Sequence, residues 1–517
     1  METEATTSRG PNRKQFNNSR GGEKKRRKVK KAKSNIGDGS AEEVLLIDVK
    51  NLLSRAHGGE GAGREENLGG RLAGKEKILP EKFSTIELTI HELGSNGDGL
   101  AYSSNKDHIY VVPFTLPGDV VESKIYAHLE DHSLTDLLKV VTPSASRNDS
   151  LIRCKYFANC GGCQFQMLSY AEQLIHKRRV VEKAYENLSG LDPAVVPEIG
   201  PTWGSPLQYG YRTKLTPHFD GPRKGGWPVG AKPPAIGFQK KGQRYVIDIE
   251  DCPIGTPALR EGLVRQREWA RENIHTYKRG ATLLLRESTI RTPKDGGIEG
   301  EYTAERICVT DHKETITEYI GQFKFISPAG TFFQNNNSIL DEFTTFVRDN
   351  LHLPISNANG SLKETTPKYL VDAYCGSGLF SITCGNAFDK VIGVDISPEG
   401  IVFASKNAEL NNIQNASFLE GNAEKIFEKI DFPGSETSVI IDPPRKGSDK
   451  AFLNQLLDLA PKRIVYISCN VHTQARDLGY FLTHEKGVGY KIDSIRGFDF
   501  FPQTHHVESV AVLTKVI

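Results

Sequence analysis

Residues 369–380 read YLVDAYCGSGLF. An apolar strand runs into a Gly-x-Gly turn and the start of a helix, and such a turn lets a cofactor approach the backbone closely. A second strand, 391–394, ends in Asp395, where a carboxylate can accept hydrogen bonds from both hydroxyls of a ribose. The third glycine of the dinucleotide fingerprint is missing and Phe380 stands near the turn instead. The pattern therefore favours S-adenosylmethionine (AdoMet) over a dinucleotide.

Two further strand ends follow in the same half of the chain. Residues 418–423, FLEGNA, predict a third strand and turn beside the adenine, and residues 439–447, VIIDPPRKG, predict a fourth strand. Four strand ends in this order predict an α/β, Rossmann-like class I methyltransferase domain over 326–517. Methylation of an exocyclic amine would suit an aromatic residue after the two prolines. Arg445 stands at that position instead, so an exocyclic amine is disfavoured as the methylation target.

Residues 464–470, IVYISCN, predict a buried strand that delivers Cys469 to the edge of the sheet where open α/β folds place their chemistry. A buried structural cysteine is the alternative interpretation. A thiolate at this edge suits carbon methylation of a pyrimidine, because C5 of uracil is too electron-poor to accept a methyl group until a nucleophile adds at C6. A base must then remove the C5 proton. We predict Glu508, at the entrance to the last strand, as that base.

Several neighbours complete this predicted site. Asp442 and Arg445 are expected beside Cys469, where they would orient the edge of the uracil. His505 and His506 are alternative bases, and a surface carboxylate is the alternative interpretation of Glu508.

Three cysteines lie within ten residues in the run CKYFANCGGC, residues 154–163. Grouped thiolates select zinc or an iron–sulfur cluster, and Cys252 is the candidate fourth ligand. Free thiols are the alternative. The spacing is not C-x3-C-x2-C, which argues against radical AdoMet chemistry, so we interpret the site as structural or RNA-positioning. The predicted metal ligands are Cys154, Cys160, Cys163 and Cys252.

The middle of the chain predicts two smaller domains. Alternating short strands with Gly and Pro turns over 81–143 predict an OB-like β-barrel, a type that commonly binds nucleic acid. Residues 144–325 predict an α+β RNA-binding domain that contains the cysteines. Its clearest element is a helix over 169–188, with Ser169 as N-cap and Glu172 at the capping-box position.

The N-terminal residues 1–80 predict a disordered basic extension and linker. Residues 1–34 carry 12 Lys and Arg against 3 acidic residues, although the chain of 517 residues has a net charge of only +2. The cluster at 24–31 is typical of a nuclear-import signal or an RNA-binding arm, and 42–56 has helical spacing. No signal peptide or membrane span is visible. We expect an intracellular monomer in the nucleus, the cytoplasm or both.

Together, YCGSGLF, DPPRKG, SCN, HHVES and the C-x5-CGGC cluster resemble the RNA uracil-C5 methyltransferase family over about residues 80–517. The barrel resembles the TRAM domain, on the markers GDGLA at 97–101 and LPGD at 116–119. Within the family, the basic extension is most similar to that of the fungal tRNA (uracil-54-C5) methyltransferases. The resemblance implies AdoMet as cofactor, tRNA as partner and C5-methylation of a T-loop uridine to ribothymidine through a covalent Cys–uracil intermediate.

The resemblance also implies roles for individual residues. Contacts to AdoMet fall on Gln334, Tyr374, Asp395 and Asp442, with Cys469 as nucleophile and Glu508 as base. The iron–sulfur members of the family match at the four cysteines, which implies a 4Fe-4S cluster. Leu379 stands where some tRNA members carry a polar residue, so that contact is not carried over. Methylation of ribosomal RNA, or a non-catalytic role in RNA binding or folding, remain alternatives.

Overall fold

The computed structural model describes residues 37, 39–58, 79–222, 225–228, 230–294, 302–352, 366–421, 426–427 and 430–516. The described residues from 39 onward belong to one compact unit. The basic cluster at 24–31 and the turn at 422–425 lie outside the described residues. Among the described helices, none is both long and apolar enough to cross a membrane.

The helices of the described chain are α1 (Ala41–Ala56), α2 (Tyr170–Leu188), α3 (Pro257–Glu272), α4 (Leu340–His352), α5 (Leu379–Thr383), α6 (Pro398–Leu410), α7 (Lys450–Leu459) and α8 (Val471–Thr483). The predicted capping box of α2 is confirmed, because the Ser169 hydroxyl accepts the Glu172 N–H and donates to its carboxylate. The predicted helix over 42–56 is confirmed as α1. The extension therefore contains a folded element.

From the sequence, the run 333–337 is expected to start a helix that continues to about Asn350, and this predicted start is wrong. The Asn336 side chain caps a short turn by accepting the Ser338 N–H, and α4 begins only at Leu340. Asn336 is fully buried and also donates to the Phe500 carbonyl, which fixes the preceding residues as an irregular segment. This irregular segment carries Gln334 into the site described below.

The predicted N-terminal barrel is confirmed as a six-stranded, mostly antiparallel sheet with the order β1-β5-β6-β4-β3-β2. Its strands are β1 (Thr85–Thr89), β2 (Glu92–Leu93), β3 (Gly99–Tyr102), β4 (Ile109–Val112), β5 (Val120–His128) and β6 (His132–Thr142). Alternate residues of β5 point inward, so Val121 and Ile125 are buried, as a half-buried strand requires.

The middle of the chain supplies smaller sheets around α3. Their strands are β8 (Lys214–Leu215), β9 (His218–Phe219), β10 (Gly237–Gln239), β11 (Val246–Asp248), β12 (Ala281–Thr282), β13 (Leu285–Pro293), β14 (Tyr302–Val309), β15 (Thr315–Ile320) and β16 (Phe323–Pro328). Strand β7 (Gly200–Trp203) lies between α2 and these sheets along the chain but pairs elsewhere.

The C-terminal half builds the largest sheet. Its strands are β17 (Tyr369–Ala373), β18 (Lys390–Asp395), β19 (Ala416–Glu420), β20 (Thr437–Ile441), β21 (Arg463–Ser468), β22 (Tyr490–Phe498) and β23 (Glu508–Lys515). The order is β19-β18-β17-β20-β21-β23-β22-β7, with the first five strands parallel and β23 antiparallel to both neighbours. Every residue of β20 and β21 is buried, as expected for strands covered on both faces.

The predicted boundary at 325/326 does not separate the central domain from this sheet. Strand β7 extends the sheet by pairing in parallel with β22. Helix α2 also packs on it, since Tyr185 donates a hydrogen bond to Gln474 of α8. Local sequence does not reveal this, because the pairing joins residues nearly 300 positions apart.

Candidate active site

A cavity of about 1160 Å³ opens at the carboxyl ends of the parallel strands. The chain reverses its direction of winding between β17 and β20, and ligands of open α/β sheets bind at such a switch point. The cavity wall includes every residue predicted for the cofactor, for catalysis and for the metal: Gln334, Tyr374, Asp395, Asp442, Cys469, Glu508, Cys154, Cys160, Cys163 and Cys252.

The strand register explains why three of these residues converge. Ala373 pairs with Val394 on one side and with Ile441 on the other. The next residue of each strand is therefore Tyr374, Asp395 or Asp442, and all three reach the same edge of the sheet. In-register parallel pairing turns three distant positions in sequence into one site.

The Gly-x-Gly turn and Asp395 form the part of the cavity that suits AdoMet. One Asp395 oxygen accepts the Gly376 N–H at 2.9 Å, and the other accepts the Ser397 N–H at 2.8 Å. Each oxygen keeps a further lone pair for a ribose hydroxyl. Gly378 has φ +89°, a left-handed conformation that favours glycine. A Cβ at this position would lie 3.3 Å from the Ala404 side chain, so the absence of a side chain lets the turn pack closely against Ala404. This donor set fits AdoMet.

Two further carboxyls lie near the turn, of which Asp372 is buried and Asp442 is half-buried. Asp372 accepts the Ser381 N–H and hydroxyl with one oxygen, while burial raises its pKa to about 7. Burial, with a smaller effect of Asp372, also raises the pKa of Asp442 to about 7. Asp442 can therefore donate as well as accept a hydrogen bond near neutral pH.

Glu508 begins β23, and Cys469 directly follows β21, its antiparallel neighbour. Ser468 pairs with Ser509, so the residue after β21 and the first residue of β23 lie opposite each other. Both side chains line the cavity, and Glu508 is only 3% exposed. The predicted juxtaposition of a thiol with a carboxyl is thus observed.

Burial sets the protonation of this pair. It raises the pKa of the Cys469 thiol to about 12, helped by Glu508 and Asp442, and it raises the pKa of Glu508 well above its ordinary value. Arg445 opposes both shifts, because its positive charge lowers both pKa values. The site therefore places a thiol that is neutral near pH 7, and a carboxyl whose burial favours its neutral form, beside a guanidinium.

The two histidines that the sequence offered as alternative bases are less suited to accept a proton. His506 lines the cavity, but burial lowers its pKa to about 3, which makes it a weak proton acceptor. Burial also lowers the pKa of His505 far below its ordinary value. His505 instead contacts Gln164, with its Nδ1 atom 3.2 Å from the amide oxygen.

Asn470 is a residue to which the sequence assigned no role. Its amide nitrogen donates to the Arg445 carbonyl at 2.9 Å and to the Gly39 carbonyl at 3.1 Å, while its oxygen caps α8 by accepting the His472 N–H. An asparagine directly before a helix is an N-cap signal. That signal identifies the cap but not the two carbonyl partners.

The four cysteines lie close enough to affect one another. Burial is the main cause of the raised pKa of Cys252, about 12, and Cys160 and Cys154 raise it further. Among the described residues, however, no group of three or more His, Cys, Asp or Glu side chains is arranged to hold a metal ion. The predicted zinc or iron–sulfur site is not supported by this geometry, which brings four half-buried thiols to the cavity wall without the arrangement of a metal site.

The sequence offers two candidate RNA-contact surfaces in the central domain, the basic run 176–179 of α2 and the aromatic and cationic run 209–214, and these are only partly available. On α2, Lys177 is fully buried against Asp499, and Arg179 pairs with Glu186. Tyr211 is 1% exposed and donates to the Pro502 carbonyl, so it cannot stack on a base. Arg212 does line the cavity, with its guanidinium over the ring of Phe501.

The strand order, the Gly-x-Gly turn with its acidic partner and the shared cavity define a class I AdoMet-dependent methyltransferase. Residues 331–516 match the family described as tRNA (Uracil-5-)-methyltransferase, and residues 81–127 match the TRAM domain. The chain is 50% identical to the tRNA (uracil(54)-C(5))-methyltransferase of Schizosaccharomyces pombe, over 96% of this chain and 87% of that protein. This chain therefore belongs to the tRNA (uracil-5-)-methyltransferase family.

A second relative and a solved structure agree with this placement. The tRNA (uracil(54)-C(5))-methyltransferase of Saccharomyces cerevisiae is 42% identical, over 92% of this chain and 81% of that protein. The crystal structure of the Pyrococcus abyssi tRNA (uracil-54, C5)-methyltransferase with S-adenosyl-L-homocysteine has a TM-score of 0.57 and 24% identity, covering 83% of this chain and 100% of that one. The likeness to that structure shows a shared fold.

Proposed function

We propose that this chain methylates C5 of uridine 54 in tRNA, with Cys469 as nucleophile and Glu508 as base. One observation carries the proposal: Cys469 directly follows β21, Glu508 begins the adjacent strand β23, and both side chains line the cavity that also contains Asp395. The Schizosaccharomyces pombe and Saccharomyces cerevisiae relatives are named for uracil 54 of tRNA, which supports tRNA and position 54 as the substrate.

AdoMet, held by Asp395, Tyr374, Gln334 and the Gly-x-Gly turn, would supply an electrophilic methyl group. Cys469 activates C5 of the uracil, which is the methyl acceptor. Its sulfur, as thiolate, adds to C6 of the uracil, and the electrons of the C5–C6 double bond move so that C5 becomes nucleophilic. C5 would then bond to the methyl carbon while the bond from that carbon to the AdoMet sulfur breaks, with S-adenosylhomocysteine as the leaving group. The uracil is now bonded to sulfur at C6 and carries both a methyl group and a hydrogen at C5.

Glu508 completes the cycle. Its carboxylate removes the C5 proton, the C5–C6 double bond re-forms and the C6–sulfur bond breaks, which regenerates the thiolate. Cys469 and Glu508 must both lose a proton during the cycle, although burial favours their neutral forms. Arg445 supports both ionisations, because its positive charge favours thiolate and carboxylate alike.

Asp442 has a separate role in this proposal. Because its pKa of about 7 lets it hold a proton near neutral pH, its carboxyl can donate to a carbonyl oxygen of uracil or accept from its N3–H. This is a recognition role, consistent with a pyrimidine edge that offers both kinds of group.

The test of the proposed function is a map of modified uridines. Total tRNA and ribosomal RNA from cells with and without the enzyme are digested and analysed by mass spectrometry. We expect 5-methyluridine at tRNA position 54 to disappear without the enzyme and to return with the wild-type chain but not with Cys469→Ala. Loss of the modification from ribosomal RNA alone would reject the tRNA substrate, and full activity of Cys469→Ala would reject the covalent mechanism.

A further inference from the structure

Helix α1 and the glycine before it connect three parts of the molecule. The buried residues Val49 and Leu52 pack into one cluster with Leu100 and Val111 of the barrel. Asn51 donates to Asn187 of α2 at 2.8 Å. Residues 39–56, which we name the N-terminal strap, lie outside both matched family regions, 81–127 and 331–516.

The third connection leads to the nucleophile. The Gly39 carbonyl accepts a hydrogen bond from the amide nitrogen of Asn470, and the same nitrogen also donates to the Arg445 carbonyl. Thr473 also donates to the Arg445 carbonyl, at 3.2 Å. One amide group thus joins the strap, the loop that follows Cys469 and the loop that carries Arg445.

The strap approaches this loop too closely for a side chain. Gly39 has φ +69°, and a Cβ there would lie 2.3 Å from the Thr473 methyl carbon and 3.2 Å from the Asn470 amide nitrogen. Gly39 is also fixed within the strap itself, because its N–H donates a hydrogen bond to the Glu43 carboxylate at 2.5 Å. The contact between the strap and the catalytic loops is therefore specific rather than incidental.

We propose that the N-terminal strap is a positioning element for methylation: through the Asn470 amide it fixes the Arg445 backbone and so holds the Arg445 guanidinium against the Cys469 thiol. This inference rests on the proposed function for its catalytic readout. Gly39 and Asn470 act here as positioning residues, because they touch the loops and not the reacting atoms.

The test is Gly39→Ala in the full-length chain. The added methyl group displaces Thr473 and Asn470, and we expect kcat for tRNA methylation to fall by about tenfold or more, because small misplacements of reacting groups have large effects on rate. We expect AdoMet affinity, measured by calorimetry, to stay unchanged, since the Gly-x-Gly turn does not touch the strap.

Gly58→Ala is the matched control. Gly58 follows the other end of α1 and also has a left-handed φ, +77°, but nothing lies within 4 Å of a Cβ at that position. It therefore carries the backbone cost of the substitution without the collision. A rescue variant combines Gly39→Ala with Thr473→Ser, which removes the methyl carbon but keeps the hydroxyl, and the single Thr473→Ser variant is its reference. We expect the combination to recover most of the lost kcat.

Hydrogen–deuterium exchange provides a readout without RNA. We expect the peptide covering 469–474 to exchange faster in Gly39→Ala than in Gly58→Ala. Unchanged exchange, or equal kcat in the two alanine variants, would overturn the positioning role. If the wild-type enzyme did not methylate tRNA, the proposed function would fail, and the exchange result would still decide whether the strap holds the loops.

Discussion

The Arg445 guanidinium lies beside the Cys469 thiol at the edge of the sheet where three predicted cofactor residues also converge, and its charge lowers the pKa of that thiol. Burial, Glu508 and Asp442 raise the same pKa and outweigh Arg445, so that its value is about 12. The environment of Cys469 thus keeps the thiol protonated at neutral pH even with Arg445 beside it. This balance makes the chemistry sensitive to pH and to Arg445.

The pH dependence of kcat/KM follows from that balance. With a thiol pKa of about 12, the thiolate fraction of the free enzyme rises about tenfold per pH unit over the range from 6 to 9. The C5-proton removal comes after methyl transfer, so kcat/KM reports the thiol. We expect log(kcat/KM) to rise with pH, and Arg445→Gln to give a parallel line at least tenfold lower. Lys450→Gln is the control, because Lys450 is a cation five residues from Arg445 and outside the cavity wall. A kcat/KM that did not change with pH would contradict the raised pKa of the thiol.

Glu508→Gln should trap the enzyme on its substrate. Glutamine cannot accept the C5 proton, so the methylated uracil stays bonded to Cys469. We expect an RNA–protein adduct that survives denaturing electrophoresis and carries one added methyl group by mass. The double variant Glu508→Gln/Cys469→Ala should show none. Normal turnover by Glu508→Gln would identify another residue as the base.

Asp395→Ala should weaken AdoMet binding by about tenfold or more, because both the ribose acceptor and the anchor of the Gly376 N–H are removed. Calorimetric titration of AdoMet measures this directly. Asp389→Ala is the matched control: Asp389 is an exposed acid just before the amino end of the same strand, away from the cavity. Equal affinities for the two variants would refute the assignment of Asp395.

Lys177→Met should destabilise the fold strongly. Lys177 and Asp499 are fully buried partners, and removing the cation leaves an unpaired buried carboxylate, which costs about 3–5 kcal/mol. Urea unfolding measures the change. Arg179→Ala on the same helix breaks only the solvent-accessible pairs with Glu182 and Glu186 and should cost less than about 1 kcal/mol. If the double variant Lys177→Met/Asp499→Leu were no more stable than Lys177→Met, the unpaired charge would not be the cause.

Much of the site could be read from local patterns. The run that ends at Gly378 and the acid at Asp395 are consecutive features of a βαβ unit, and the order of strand ends brought Asp442 and Cys469 to the same edge. Parallel pairing with short connections leaves few alternatives. The capping box at Ser169 was equally local. The start of α4 was misplaced, because Asn336 is fixed by partners far away in sequence.

The sequence by itself determined the class of fold, and it identified Cys469 and Glu508 as the proposed nucleophile and base, because strand periodicity and turn chemistry are local properties. Only the tertiary structure decided that β7 and α2 join the largest sheet, that Lys177 is buried rather than free for phosphates, and that the strap reaches Asn470. It also showed that the four cysteines are half-buried thiols without the arrangement of a metal site. Each of these depends on contacts between distant residues, and such contacts are fixed by packing and desolvation once the chain has folded.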